Sequence, residues 1–252
     1  MFGFLKEVYY VMWGDLRFMR HNLLNISISS VMSPLLYLLA FGFGLGIIKN
    51  IDVDGIPYVA FIIPGIAALS SLSASFSAVS TRLNVQRLYY RSLDEILMCP
   101  VSVPAIVLGK SMHGVIRGLV SSSIIFAIGL ALAPEYLQFT PLYAISIILS
   151  CFTFAFLGVA AAFLANTHQA ITTFNNLVIL PMTFLCGTFF AVDGLPAVFK
   201  AVLYALPLTH SSVTARASTL GWDFPWVSLV VLLGFCIAFF SINVYLIKIK
   251  KV

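Results

Sequence analysis

The chain has 252 residues, of which 61% are hydrophobic and only 9% charged, with a mean hydropathy of +1.04. A soluble domain carries about 25% charged residues, so these values exclude a water-soluble globular protein and point to an integral membrane protein. The net charge of +5 does not mark a nucleic-acid surface, because the basic residues fall in the gaps between apolar runs.

Residues 1–22 place Leu5, Val8, Tyr9, Met12, Trp13 and Leu16 at helical spacing, with Lys6, Glu7, Asp15 and Arg17 mostly elsewhere on the wheel. The pattern predicts an amphipathic helix in the membrane interface; a plain cytosolic lead-in helix would show the same moment. The early charges leave no short apolar core followed by a small-residue cleavage site, so a retained N-terminus is expected.

Runs long enough to cross a bilayer, about 20 residues, occur at 23–48, 57–81, 111–133, 141–165, 171–192 and 226–247. The segment from Leu195 to Leu208 is also apolar, but it is too short to cross, carries Lys200 and is bounded by Pro196 and Pro207. It suits a re-entrant or interfacial hairpin. With six spans and the N-terminus inside, the inner side collects Lys6, Arg17, Arg20, Arg82, Arg87, Arg91, Lys110, Lys248, Lys250 and Lys251. The outer side keeps Lys49, Lys200 and Arg216. This positive-inside bias puts both termini in the cytoplasm.

The inner loop 82–110 contains the one compact charged segment, Arg91 to Ser102. Ser92 followed by Glu95 fits a capping box, so a helix is expected from Leu93. Pro100 removes a donor and forces Cys99 out of helical angles, which limits the helix to roughly two turns. Leu93, Ile96 and Leu97 then share a face, and Asp94 with Glu95 load the positive end of the helix dipole.

Lys110, His113 and Arg117 follow at i, i+3 and i+7 and line one face at the start of the third span. They either snorkel to headgroups or anchor the loop by a salt bridge to Asp94 or Glu95. In the second span Pro64-Gly65 predicts a kink. Ser70, Ser73, Ser77 and Thr81, with Ala74 and Ala78, predict a close helix contact, a substrate-facing stripe being the sharper alternative. Asn175 and Asn176 read as interhelical hydrogen-bonding groups, and His168 as an interfacial turn residue.

Gly109-Lys110-Ser111 matches the end of a phosphate-binding loop, but the glycine required five residues earlier is Pro104. No ATP site is therefore expected on this chain. The histidines His21, His113, His168 and His210 lie apart, and no catalytic constellation is expected. Cys99, Cys151, Cys186 and Cys236 have neither zinc nor disulfide spacing and read as packing residues, so no metal site is expected. The sequon Asn25-Ile26-Ser27 lies at the cytosolic edge of the first span and reads as accidental.

The order of these parts resembles the permease subunit of type-2 ABC exporters. The match is carried by Pro34-Leu35-Leu36-Tyr37, Pro64-Gly65, Ser92-Leu93-Asp94-Glu95-Ile96-Leu97 with Pro100-Val101, Arg117-Gly118, and Leu206-Pro207-Leu208-Thr209-His210 with Arg216. It spans essentially the whole chain. The resemblance implies an all-α integral membrane permease: an interface helix, six spans, a cytoplasmic coupling helix and an external re-entrant hairpin within 193–225 (Pro196, Pro207, His210, Arg216).

It further implies a permease homodimer clasped by two ATP-binding cassette ATPase subunits, which bind the ATP and magnesium. Arg91, Ser92, Leu93, Asp94, Glu95, Ile96, Leu97 and Pro100 would couple to the ATPase, with Lys110 and Arg117 anchoring the loop. The expected function is export of an amphipathic, lipid-linked or drug-like substrate from the cytoplasm, with a polysaccharide as the alternative cargo. From another class, a stand-alone membrane enzyme or ion-coupled carrier would need a polar constellation within the bilayer, and Arg117 with two asparagines is a poor one.

Overall fold

The computed structural model describes residues 2–44, 52–53, 55–190 and 196–250. Lys49, Lys251 and the predicted span and hairpin ends at 45–48, 191–192 and 193–195 lie outside the described residues, as does the Asn25 side chain. Helix α1 is Phe2–His21, and α2, Leu23–Tyr37, runs on into a π-helical stretch Leu38–Phe43. A two-stranded antiparallel pair, β1 Asp52–Val53 and β2 Ile56–Pro57, leads into α3, Tyr58–Leu88. Then follow α4, Ser92–Met98, α5, Val103–Leu132, and α6, Pro141–Leu164. Helix α7, His168–Phe174, passes through a π-helical turn Asn175–Ile179 into α8, Leu180–Leu185. The chain closes with α9, Ala197–Tyr204, α10, Pro207–Leu220, and α11, Trp226–Lys250.

Four helices among the described residues are long and apolar enough to cross a membrane: α3, α5, α6 and α11. The predicted first and fifth spans instead appear as the helical runs α2 and α7–α8, each interrupted by a π-helical stretch. A π-helical turn shifts the i→i−4 bonding to i→i−5 and rotates the faces on either side of it.

Helix α3 is the axis of the bundle, nearly all of it buried against α5, α6 and α10. Its serines join neighbours directly. Ser70 Oγ lies 2.6 Å from Ser121 Oγ, and Ser71 Oγ lies 2.8 Å from Ser150 Oγ, which accepts from Ser211 Oγ at 2.7 Å. Small hydroxyl residues let backbones approach and satisfy one another without water. The expected contact stripe divides along its length: Ser70, Ala74 and Ala78 are buried, whereas Ser77 and Thr81 are exposed.

Helix α10 is buried along almost its whole length and supplies donors to helix ends around it. Thr209 Oγ1 donates to Leu203 O at 2.6 Å, and His210 Nε2 lies 2.8 Å from Tyr204 O, so both cap the C-terminus of α9. Ser212 Oγ donates to Cys186 O at 3.1 Å, just past α8. Arg216, 4% exposed, donates to Phe61 O at 3.1 Å, Gly187 O at 2.9 Å and Thr188 O at 3.1 Å, and its guanidinium stacks 3.9 Å from the Phe61 ring centroid.

Pro64-Gly65 explains how that guanidinium fits. Helix α3 continues through Pro64 without a break. A Cβ on Gly65 would lie 2.7 Å from Thr188 O and 2.9 Å from the Arg216 terminal nitrogen, so only glycine leaves room for both. Gly65→Ala is expected to lower stability by about 1–3 kcal/mol, the usual cost of forcing a methyl into a filled core. Gly234→Ala on α11, with nothing within 4 Å of the added carbon, should cost nothing. Thermal unfolding of the two purified variants checks the pair.

Candidate functional site

The short helix α4 forms where the sequence places it, but its start is different from the capping box. Arg91 takes left-handed angles, φ 52°, and the Asp94 N–H closes on Arg91 O at 3.0 Å. Ser92 is already the first helical residue, and no side-chain cap bond is made. The turn is formed by backbone geometry at Arg91, so the Ser92–Glu95 pair has no cap to supply. Cys99 is extended at φ −72°, ψ 155°, as Pro100 requires.

The two faces of α4 divide sharply. Leu93 is 1% exposed, and Ile96 and Leu97 pack half-buried against the same core. Arg91, Asp94, Glu95, Met98 and Pro100 are exposed, beside Tyr89 and Tyr90. The apolar triplet therefore ties α4 to its own chain, and the outward face is acidic with one methionine, Met98, at 86% exposure.

The ends of α3 and α5 beside α4 are tied to α1 by a buried carboxylate. Asp15, 2% exposed, accepts from Arg82 Nε at 2.5 Å, from Lys110 Nζ at 3.1 Å and from Gln86 Nε2 at 3.0 Å, while Lys110 also donates to Gln86 Oε1 at 2.8 Å. Arg82 stacks over Phe18 at 4.0 Å. Burial pushes the Asp15 carboxyl up, but Lys110 and Arg82 outweigh it and hold it below its ordinary value.

Loop anchoring by Lys110 thus goes to Asp15, not to Asp94 or Glu95. Among the described residues those two form no salt bridge. The helical wheel assigned Asp15 to the polar face of α1. In the fold the face that enters the protein is Val11, Asp15 and Met19, and Leu5, Tyr9 and Trp13 remain exposed.

Three more ties complete this end of the bundle. The Glu7 carboxylate accepts from Ser102 Oγ at 2.5 Å and from Ser102 N–H at 3.0 Å, at the start of α5. The Ser102 hydroxyl, and then its N–H, hold the Glu7 carboxyl below its usual range. Arg87 donates to Ala162 O and Phe163 O at 2.8 Å and to Ala165 O at 3.1 Å, capping the C-terminus of α6. Arg117 Nε donates to Ser30 Oγ at 2.5 Å and a terminal nitrogen reaches Ser29 Oγ at 3.3 Å, so α5 grips α2.

Gly109-Lys110-Ser111 lies within α5, with Gly109 against Val11 of α1, Lys110 in its ion pair and Ser111 Oγ bonded to Leu108 O. Ser77 and Thr81 line two hollows. One, of about 720 Å³, runs past Arg82, Tyr90, His113 and Arg117; the other, of about 160 Å³, is shared with His168 and Asn175. Asn176 is exposed. Of the remaining predicted residues, Pro196 and Pro207 start α9 and α10, and His210 and Arg216 act on the helix ends described above. Cys99 is exposed, Cys151 and Cys186 are buried, and all four cysteines are free thiols.

A family model described as ABC-2 type transporter matches residues 6–220. The chain is similar to Nodulation protein J of Rhizobium meliloti (strain 1021), at 31% identity over 225 residues covering 83% of this chain and 82% of the relative. It is similar to Inner membrane transport permease YadH of Escherichia coli (strain K12), at 27% identity over 228 residues covering 88% of each. Nodulation protein J of Rhizobium leguminosarum bv. trifolii is 33% identical over 194 residues, covering 75% of this chain and 71% of the relative.

Asp15→Asn leaves Lys110 and Arg82 without a counter-charge, and a loss of about 3–5 kcal/mol is expected for breaking a buried pair from one side. Because the folded carboxyl is held down, its contribution is fully present above the ordinary value of 3.8 and disappears as pH falls through the lower folded value. The gap in unfolding temperature between parent and variant should stay level from pH 8 to 5 and close only under strong acid. A gap that closed near pH 6 would refute the assignment.

Proposed function

Because the chain belongs to the ABC-2 type transporter family, whose members are transport permeases, we propose that it is the membrane-spanning subunit of an ATP-driven exporter. Its alternating conformations would be driven by two separate ATP-binding cassette ATPase subunits, which carry the ATP and magnesium. Family membership supports this reading over a stand-alone membrane enzyme or ion-coupled carrier. The observation that carries the coupling assignment is α4: a two-turn helix pinned through Leu93, with Asp94, Glu95 and Met98 free outside.

The docking surface is the outward face of α4 with Arg91, Tyr89 and Tyr90, and Leu93, Ile96 and Leu97 transmit the motion inward. Asp94 and Glu95 stand free at the N-terminal turn, available to a basic groove. Met98 supplies an adaptable apolar contact.

Six crossings follow when α2 and α7–α8 are counted with the four long helices. Both termini and α4 are then cytoplasmic, in the cell inner or cytoplasmic membrane, and α9–α10 is an external re-entrant pair. Helix α1 lies in the interface, supported by the exposed Tyr9, Tyr10 and Trp13, side chains suited to the headgroup belt. The second permease copy packs on the side of α7 and α8. There Asn176 is exposed, and an asparagine amide is better placed against a second helix than against lipid. The exposed face of α11 (Val227, Val230, Leu233, Ile237) is wholly apolar and suits acyl chains. The cargo is an amphipathic, lipid-linked or drug-like molecule, supported by apolar spans with 14% aromatic residues.

Asp94→Lys with Glu95→Lys should lower the unfolding temperature of the chain only slightly, by the lost dipole interaction of about 0.3–1 kcal/mol per charge, but abolish capture of the ATPase subunit and transport-coupled ATP hydrolysis. Leu93→Ala should keep capture of the ATPase subunit but cost about 2–5 kcal/mol of stability and weaken transport-coupled hydrolysis. Undiminished ATPase capture by the charge-reversed chain would sink the docking face.

A further inference from the structure

The 720 Å³ hollow between α1, α3, α4 and α5 has a charge balance that the permease reading does not use. The charged groups facing His113, which lines it, are Asp15 on α1, Arg82 on α3, and Lys110 and Arg117 on α5. Three cations stand against one carboxylate, and Asp15 already spends both oxygens on Arg82 and Lys110. Among the described residues the partners of Arg117 are the hydroxyls of Ser30 and Ser29, at 2.5 and 3.3 Å. Unlike Arg87 and Arg216, which each take three carbonyls, Arg117 spends two of its five donors on hydroxyls and keeps the others for an anion.

A second, independent observation lies in the same wall. His113 is 5% exposed, and its Nδ1 has no hydrogen-bond partner among the described residues. Buried polar atoms are nearly always satisfied, so this wall of the hollow holds a polar group without a protein partner among those residues. The Ser77, Thr81 and Ser92 side chains line the hollow too and add hydroxyl donors. Its remaining wall is apolar, with Phe18, Ala78 and Val85. The volume falls within the range of about 300–1,000 Å³ typical of small-molecule sites, more than a bare anion needs.

From this juxtaposition we infer that the hollow binds the phosphate-bearing headgroup of an anionic amphiphile, with Arg117 as the principal contact and the chain of the amphiphile along Phe18 and Val85. A guanidinium can meet phosphate oxygens with two parallel hydrogen bonds. The bound lipid would brace α1 against α3 and α5 beside the Asp15 network. The site rests on groups within this chain and stands whichever cargo is exported.

The test titrates the purified full chain in neutral detergent with phosphatidylglycerol, phosphatidylcholine or inorganic phosphate and follows its unfolding temperature. Phosphatidylglycerol should raise it and the other two should not. Arg117→Gln should weaken the phosphatidylglycerol response at least tenfold. Ser77→Trp, which fills the hollow from an exposed position without touching a charge, should do the same, and it carries the test alone if Arg117→Gln does not fold. Equal responses to the two lipids, or a phosphatidylglycerol response unchanged in Ser77→Trp, would overturn the site. A response to inorganic phosphate matching that of the lipid would assign the site to a free anion and overturn the amphiphile.

Discussion

A carbonyl freed at a helix end and packed inside a protein has no water to turn to, and leaving it unpaired costs free energy comparable to a lost hydrogen bond. Two arginines meet that constraint at opposite ends of α3. Arg87 takes three carbonyls at the end of α6, and Arg216 takes two at the end of α8 together with Phe61 O. Neither forms a salt bridge among the described residues. The carbonyl dipoles and, for Arg216, the Phe61 ring face supply the negative potential that a carboxylate would otherwise provide. Because each arginine bridges two helices, the cap of one helix also fixes its distance from another.

The same requirement explains why the hairpin α9–α10 can be so short. Its turn exposes the carbonyls of Leu203 and Tyr204, which take bonds from Thr209 and His210 on the next helix. At the other end of α10, Ser218 O accepts from Thr140 Oγ1 at 2.7 Å and Thr219 O from the Gln138 N–H at 3.0 Å. The 14-residue helix α10 thus has carbonyls at its C-terminal end taken by the segment that precedes α6. Its polar sequence, rich in serine and threonine, is a list of these donors and not a sign of solvent.

Composition and charge spacing made the helical membrane fold legible, and Pro100 with Arg91 to Ser102 located α4 to within a residue. What they could not reveal was which face of each short helix is inside. Leu93, Ile96 and Leu97 form an apolar stripe, and a stripe alone does not say whether its cover is the chain itself or a partner. Asp15 shows the same limit. An acid on a helical wheel reads as solvent-facing, and only the fold brings Lys110, ninety-five positions away, close enough to bury it. The π-helical turns at Leu38–Phe43 and Asn175–Ile179 had no signal in the apolar runs, because every residue in them is as compatible with a regular helix.

The internal apolar face determines how α4 is held to the rest of the chain. A helix that gripped a partner with its leucines would be held to its own chain only by two connecting loops, and a push would be lost in bending them. Here Leu93 is inserted into the core that α3 and α5 share, and α5 is in turn bonded to α1 through Asp15–Lys110 and Glu7–Ser102. These contacts join α4 and the ends of α3, α5 and α1 into one close-packed unit. Arg117 ties α5 in turn to α2 through Ser29 and Ser30, and α2 passes into π geometry farther along, at Leu38–Phe43.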